Sequence, residues 1–215
     1  MKLSKYIDHT MLKPFASKQS IIDLCNEAKE YDFKSVCVNT CNITLAKKCL
    51  EGSDVLVCTV VGFPLGAMAT EAKVFETTDA ILKGADEVDM VINIGRLKDK
   101  DYEYVTDEIR RIKSACGDRT LKVIIETCLL TNEEKVAACN CIMDAKADFV
   151  KTSTGFSTGG ATFEDIKLLK DTVKDNCFIK ASAGIKSHED MLKMIELGAN
   201  RIGTSSGTKL IEKGE

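Results

Sequence analysis

Glu87-Val88-Asp89-Met90-Val91-Ile92-Asn93 places Val88, Met90 and Ile92 on one side of an extended chain and Asp89, Val91 and Asn93 on the other. A carboxylate facing away from an otherwise apolar side suggests a strand with helices packed on its outer face and something polar within. Short runs of the same type recur at roughly Lys5–Asp8, Ser35–Asn39, Leu56–Gly62, Leu121–Thr127, Phe149–Ser153, Phe178–Ser182 and Arg201–Thr204. Between them lie segments with helical spacing, such as Ile21, Leu24, Cys25 and Ala28, or Val105, Ile109, Ile112 and Ala115. Ser17, Thr131, Thr162 and Ser187 stand where such helices would need an N-cap. Strand and helix in alternation imply parallel strands joined by right-handed crossovers. Eight such units predict an α/β fold, a single-domain (β/α)8 TIM barrel over residues 1–215. An open dinucleotide-binding sheet is disfavoured, because no Gly-x-Gly-x-x-Gly follows the first run.

Composition fits one domain. The 215 residues are 44% hydrophobic, with 2 Pro and no Ser/Gly linker, low-complexity tract or long charge run to mark a boundary. The 30 basic and 33 acidic residues are interspersed for a net charge of -3, which argues against nucleic acid as a partner. No run of about 18 apolar residues is present to span a membrane, and the first residues lack the apolar stretch of a signal peptide. The 10 cysteines include no C-x-x-C pair, and several sit inside apolar runs, so they read as reduced thiols of a cytoplasmic protein.

Two lysines end β-type runs: Lys151 in Asp148-Phe149-Val150-Lys151-Thr152-Ser153 and Lys180 in Cys177-Phe178-Ile179-Lys180-Ala181-Ser182. Lysine is rarely buried without a partner, so its use there suggests amine chemistry. Alternation puts Phe149, Lys151 and Ser153 on one face, and Phe178, Lys180 and Ser182 on one face of the next strand. In a barrel with Val88, Met90, Ile92, Val150 and Ile179 facing outward, the lumen receives both ammoniums and Asp89. A lysine nucleophile must be a free amine, and a second ammonium about 5 Å away opposes its protonated form by roughly 3 kcal/mol at an effective dielectric of about 20. Imine formation is the chemistry this trio suits.

The turns after the last three runs suggest an anion site. Thr152-Ser153-Thr154-Gly155, Ser182-Ala183-Gly184 and Gly203-Thr204-Ser205-Ser206-Gly207 are built of small residues that let backbone N–H groups approach a phosphate. Loops seven and eight of such barrels frequently hold one, and a short helix beginning near Ser205 would aim its positive end at it. Gly155, Gly184, Gly203, Ser205 and Ser206 are the phosphate-binding candidates.

Read in order, Tyr6-Ile7-Asp8-His9-Thr10, Val36-Cys37-Val38-Asn39, Val60-Val61-Gly62-Phe63-Pro64-Leu65-Gly66, the run from Glu87 to Gly95, Phe149-Val150-Lys151-Thr152-Ser153-Thr154-Gly155-Phe156 and Lys180-Ala181-Ser182 resemble the deoxyribose-phosphate aldolase family over nearly the whole chain. The resemblance implies a class I aldolase on a (β/α)8 barrel that reversibly cleaves 2-deoxy-D-ribose 5-phosphate to D-glyceraldehyde 3-phosphate and acetaldehyde. By position in those motifs Lys151 would form the Schiff base, while Asp89 and Lys180 would handle protons. That family usually carries Gly-Gly after Lys-Ala-Ser, where this chain has Ala183-Gly184 and so adds a methyl group to the turn. Some members also use a tyrosine near the C-terminus. This chain has none after Tyr104 and reads Glu212-Lys213-Gly214-Glu215 at its end, so no tail-dependent step is expected.

Asp8, Thr10, Cys37, Thr152 and Ser182 are further substrate-side candidates, although Asp8 and Thr10 could equally close the first loop and Cys37 could serve as a small buried hydrophobe. His9 and His188 are the only histidines, so no metal site is expected, and an imine mechanism calls for no cofactor. The expected partners are a small sugar phosphate and acetaldehyde, with no nucleic acid or membrane and a homodimer left open. Another Schiff-base enzyme, transaldolase-like or acting on longer sugar phosphates, would share the lysine. A non-catalytic phosphosugar-binding protein would share the loops.

Overall fold

The computed structural model describes residues 2–212. The end of the tail, Lys213 to Glu215, lies outside the described residues, as does Met1. Eight parallel strands follow one another around a closed barrel: β1 (Ile7–Met11), β2 (Ser35–Val38), β3 (Leu56–Val61), β4 (Glu87–Val91), β5 (Thr120–Ile124), β6 (Phe149–Lys151), β7 (Phe178–Ser182) and β8 (Arg201–Thr204). Nine helices surround it among the described residues: α1 (Lys18–Glu30), α2 (Ile43–Cys49), α3 (Thr70–Leu82), α4 (Ile94–Lys98), α5 (Tyr102–Cys116), α6 (Asn132–Asp144), α7 (Phe163–Val173), α8 (His188–Glu196) and α9 (Gly207–Leu210).

All eight expected strands form, with shifted ends. Leu3–Tyr6 winds into a single 3-10 turn, so β1 begins at Ile7 instead of Lys5 and continues to Met11. The fifth strand stops at Ile124 because Glu126 adopts a left-handed conformation (φ 57°) and Thr127–Leu129 forms another 3-10 turn. Asn93 leaves the fourth strand to cap α4, its side chain accepting from Arg96 N–H. The helix expected near Ser205 starts at Gly207 and is only four residues long.

Alternation sorts the interior into two layers. Val88, Met90, Ile92, Val150 and Ile179 belong to the main apolar core between strands and helices. A second, small cluster of Leu12, Cys37, Cys58 and Val60, with Phe63 against it, fills part of the lumen. Ile21, Leu24, Cys25 and Ala28 are the buried face of α1. On α5 the buried face is Val105, Glu108, Ile109, Ile112 and Cys116, with Cys116 in place of Ala115. Removing an aliphatic side chain of this size from water stabilises the fold by roughly 1.5–3 kcal/mol. Ser17, Thr162 and Ser187 each accept a helix N–H three residues on, and Thr131 and Glu134 form a reciprocal capping box.

Glu108 is the exception on its apolar face, because it pairs with a buried lysine from the neighbouring helix. Lys73 of α3 lies 2.8 Å from its Oε1, and both side chains are fully buried. Lys73 also donates to the Val91 carbonyl, while Glu108 accepts from Asn93 N–H. The pair therefore fixes the end of β4 and the turn that follows it. Its aliphatic stem explains Gly62, which has φ +62°: a Cβ there would meet Lys73 Cε at 2.8 Å. Replacing Lys73 with Met leaves Glu108 buried without its cation and is expected to cost about 3–5 kcal/mol in urea denaturation. Lys73→Met combined with Glu108→Gln should recover part of that loss. Equal stability of Lys73→Met and the unaltered protein would show that the pair does not hold this turn.

Candidate active site

Strand register brings the expected trio together. Lys151 pairs with Lys180 across β6 and β7, and Asp89 pairs with Lys122 across β4 and β5. Asp89 Oδ2 accepts from Lys151 Nζ at 2.8 Å and from Lys180 Nζ at 2.7 Å, so one carboxylate oxygen joins both amines. Gly203 on β8 is required beside them, because a Cβ there would sit 3.0 Å from Lys180 Cε and 2.6 Å from Ser182 Oγ.

The trio is part of a larger buried ionic cluster. Lys122 reaches Asp89 Oδ1 at 3.0 Å and Glu87 at 2.6 Å; Lys180 also reaches Asp8 Oδ2 at 2.5 Å. Arg201 bridges Asp8 and Glu87. Lys122, Lys151, Lys180 and Arg201 thus face Asp8, Glu87 and Asp89, all of them buried. The sequence reading missed Lys122, Glu87 and Arg201, although the alternation that exposed Asp89 also turns these three inward.

Burial works to raise the Asp89 carboxyl, but Lys122, Lys151 and Lys180 outweigh it and hold it well below the usual carboxylate range. Asp8 and Glu87 are likewise depressed: burial opposes ionisation, while Arg201 and Lys180 act on Asp8 and Lys122 acts on Glu87. Lys180 is pushed up, since Asp8 and Asp89 overcome the desolvation that would lower it. Lys180 thus meets two carboxylates: Asp89, which the sequence already sets beside it, and Asp8, which the sequence reading left outside the trio.

Above the cluster, at the C-terminal end of the barrel, lies a cavity of about 560 Å³. Lys151 reaches its floor, Thr10 and Ser182 lie on its wall, and Gly155, Gly184, Gly203, Ser205 and Ser206 line the loops around it. Ser182 Oγ is buried and without a hydrogen-bond partner among the described residues, so it is free to meet a ligand. Asp89 and Lys180 stand behind Lys151. Asp8, Cys37 and Thr152 do not line the cavity. Asp8 is committed to Lys180 and Arg201, and Cys37 packs with Cys58 and Val60 below the floor. Thr152 Oγ1 donates to the Ser182 carbonyl at 3.3 Å and accepts from Ser182 N–H at 3.1 Å, tying β6 to β7.

Ala183 keeps a glycine-like backbone, with φ 62° despite its methyl group. Its carbonyl and that of Ser182 both accept from Ala161 N–H, which anchors the turn. Glu126, also missed from the sequence, supports the opposite wall: buried at the end of β5, it accepts from the Thr154 N–H at 3.2 Å and from the Thr154 hydroxyl. Among groups able to hold a cation, Cys37, Cys58 and Asp89 bring their ligand atoms within 4.8 Å of one another.

A lysine at the mouth of a barrel, backed by a carboxylate and a second amine, fits a DeoC/LacD family aldolase, whose model matches residues 2–211. The chain belongs to that family. Deoxyribose-phosphate aldolase of Finegoldia magna is 62% identical over 212 residues, covering 99% of this chain and 100% of that protein. Among solved structures, the aldolase QR15 superposes with a TM-score of 0.94 at 40% identity, covering 98% of this chain and 94% of that one. Deoxyribose phosphate aldolase from Aeropyrum pernix, described as tetrameric, gives 0.88 at 32% identity, covering 97% and 88%. No helix among the described residues is long and apolar enough to cross a membrane.

The buried carboxylates of this family member give stability a definite pH window. Their folded pKa values lie below the unfolded ones, about 3.9 for Asp and 4.3 for Glu, so their contribution is complete above about pH 5 and lost as pH falls below about 4. The urea midpoint should therefore drop steeply below pH 4. A midpoint held constant down to pH 3 would contradict this cluster.

Proposed function

We propose that this chain is a class I aldolase that reversibly cleaves 2-deoxy-D-ribose 5-phosphate to D-glyceraldehyde 3-phosphate and acetaldehyde, with Lys151 as the Schiff-base lysine. The observation that carries the reading is the amine of Lys151 at the cavity floor, sharing Asp89 Oδ2 with Lys180. The cluster has four cations against three carboxylates. Lys151 is the member that meets the cavity, and its free amine is what an aldehyde requires.

Neutral Lys151 adds to C1 of the open-chain sugar to give a carbinolamine, which loses water to become an iminium. The C3 hydroxyl then gives its proton to Asp89 through a water, and the C2–C3 bond breaks. Its electron pair flows toward the iminium nitrogen, leaving an enamine and releasing glyceraldehyde 3-phosphate. Proton return to C2 from the Asp89–Lys180 pair regenerates an iminium, and water hydrolyses it to acetaldehyde and free Lys151. The iminium nitrogen is the electron sink, so these steps call for no metal or organic cofactor. The loops bearing Gly155, Gly184, Gly203, Ser205 and Ser206 take the phosphate, whose binding energy positions the reacting carbons. The ten free thiols agree with a reducing cytoplasm as the setting.

Acetaldehyde followed by borohydride should leave a reduced adduct on Lys151, located by peptide mass analysis. Labelling mainly at Lys180, or none, would remove the assignment.

Lys180→Leu separates charge from proton transfer. Without Lys180 the cluster falls from four cations against three carboxylates to three against three, so activity at pH 7 should fall on the order of tenfold to a hundredfold and the deficit should narrow in alkali. A pH-rate profile parallel to that of the unaltered enzyme would assign Lys180 to proton relay alone.

A further inference from the structure

The small lumen cluster contains two thiols that the proposed reaction leaves unused. Cys37 and Cys58 are register partners on β2 and β3, both fully buried, and both turn toward Asp89. Cys58 Sγ lies 3.1 Å from Asp89 Oδ1. Their separations suit a small cation. Tetrahedral zinc with Zn–S near 2.3 Å and Zn–O near 2.0 Å spaces two sulfurs by about 3.8 Å and sulfur from oxygen by about 3.5 Å, while the three ligand atoms here all lie within 4.8 Å of one another.

We propose that Cys37, Cys58 and Asp89 form an inhibitory site for a thiophilic divalent cation of the zinc type. Two thiolates and a carboxylate favour such a metal over magnesium or calcium. Charge does not forbid entry into a cluster rich in ammoniums, because one divalent ion replaces the two thiol protons it releases. Lys122 now fills the cationic place, with Nζ 3.5 Å from Cys58 Sγ and 3.0 Å from Asp89 Oδ1. When displaced it keeps Glu87 at 2.6 Å, and Lys180 keeps Asp8 at 2.5 Å. Lys151 alone has no other carboxylate within salt-bridge distance among the described residues. Leu12 lines the cavity and packs on the thiol cluster, so it is the barrier that an entering ion must pass.

Metal binding takes Asp89 out of proton transfer without touching the phosphate loops. The binding claim stands on geometry alone, whereas the inhibition rests on the role given to Asp89 above. The test uses the whole enzyme, freed of metal with EDTA and titrated with Co2+ and Zn2+. Cobalt should produce a thiolate-to-metal charge-transfer absorption at one equivalent, and zinc should lower kcat about a hundredfold with KM little changed, reversed by EDTA. Cys58→Val and, as a milder change, Cys37→Ala should each weaken the cobalt band and the zinc sensitivity measured against the variant's own metal-free rate. Cys41→Ser and Cys128→Ser, which remove exposed thiols, should alter neither. No cobalt-thiolate band, or zinc sensitivity that survives Cys58→Val and Cys37→Ala, overturns the site. A band that needs both thiols while kcat is unchanged overturns the inhibition and counts against Asp89 as the proton carrier.

Discussion

One carboxylate organises the centre of this molecule. Asp89 is completely buried, yet its two oxygens accept from three lysines on three different strands. Burying an isolated carboxylate or ammonium costs several kcal/mol even after relaxation, so neither partner is tolerable without the other. The inward direction of Lys122, Lys151 and Lys180 therefore depends on Asp89, and the position of Asp89 depends on the register of β4 between β3 and β5. A slip of one residue would send the carboxylate into the apolar layer under the helices.

The rest of the scaffold protects that register. Lys73 and Glu108 secure the end of β4 from outside the barrel, and Thr152 clamps β6 to β7 just beyond Lys151 and Lys180. Glu126 spends a strained backbone conformation to hold Thr154 beside the cavity. Each uses a buried polar group to fix geometry at the C-terminal ends of the strands, where precision matters to chemistry and apolar packing alone is directionless.

Much of this was legible in the residues. Alternation within Glu87–Asn93, Phe149–Ser153 and Phe178–Ser182 was enough to turn Asp89, Lys151 and Lys180 inward, and the four caps expected at Ser17, Thr131, Thr162 and Ser187 all form, while those at Asn93 and Asp101 were missed. What escaped is instructive. Lys122 stands between Leu121 and Val123, and Arg201 opens β8; each resembles a solvated surface residue until the barrel closes and its partners arrive from distant strands. Asp8 read equally as a substrate contact or as a residue closing the first loop, yet its neighbours across the lumen claim both oxygens. Strand ends were blurred for a different reason. Glu126 leaves the extended state in a left-handed turn and Asn93 leaves the strand to cap a helix, and apolar periodicity encodes neither.

The bond from Arg201 to Asp8 joins residues 193 positions apart and links the final strand to the first. Until β8 has been synthesised, Asp8 and Glu87 lack their guanidinium and rest on Lys180 and Lys122 alone. A growing chain therefore gains no finished pocket by degrees: seven strands make an open sheet, and the eighth supplies closure and the last ionic contacts together. The enclosed lumen is thus an all-or-none product of the last strand: a chain cut before β8 would carry every other member of the cluster without the ring that encloses them.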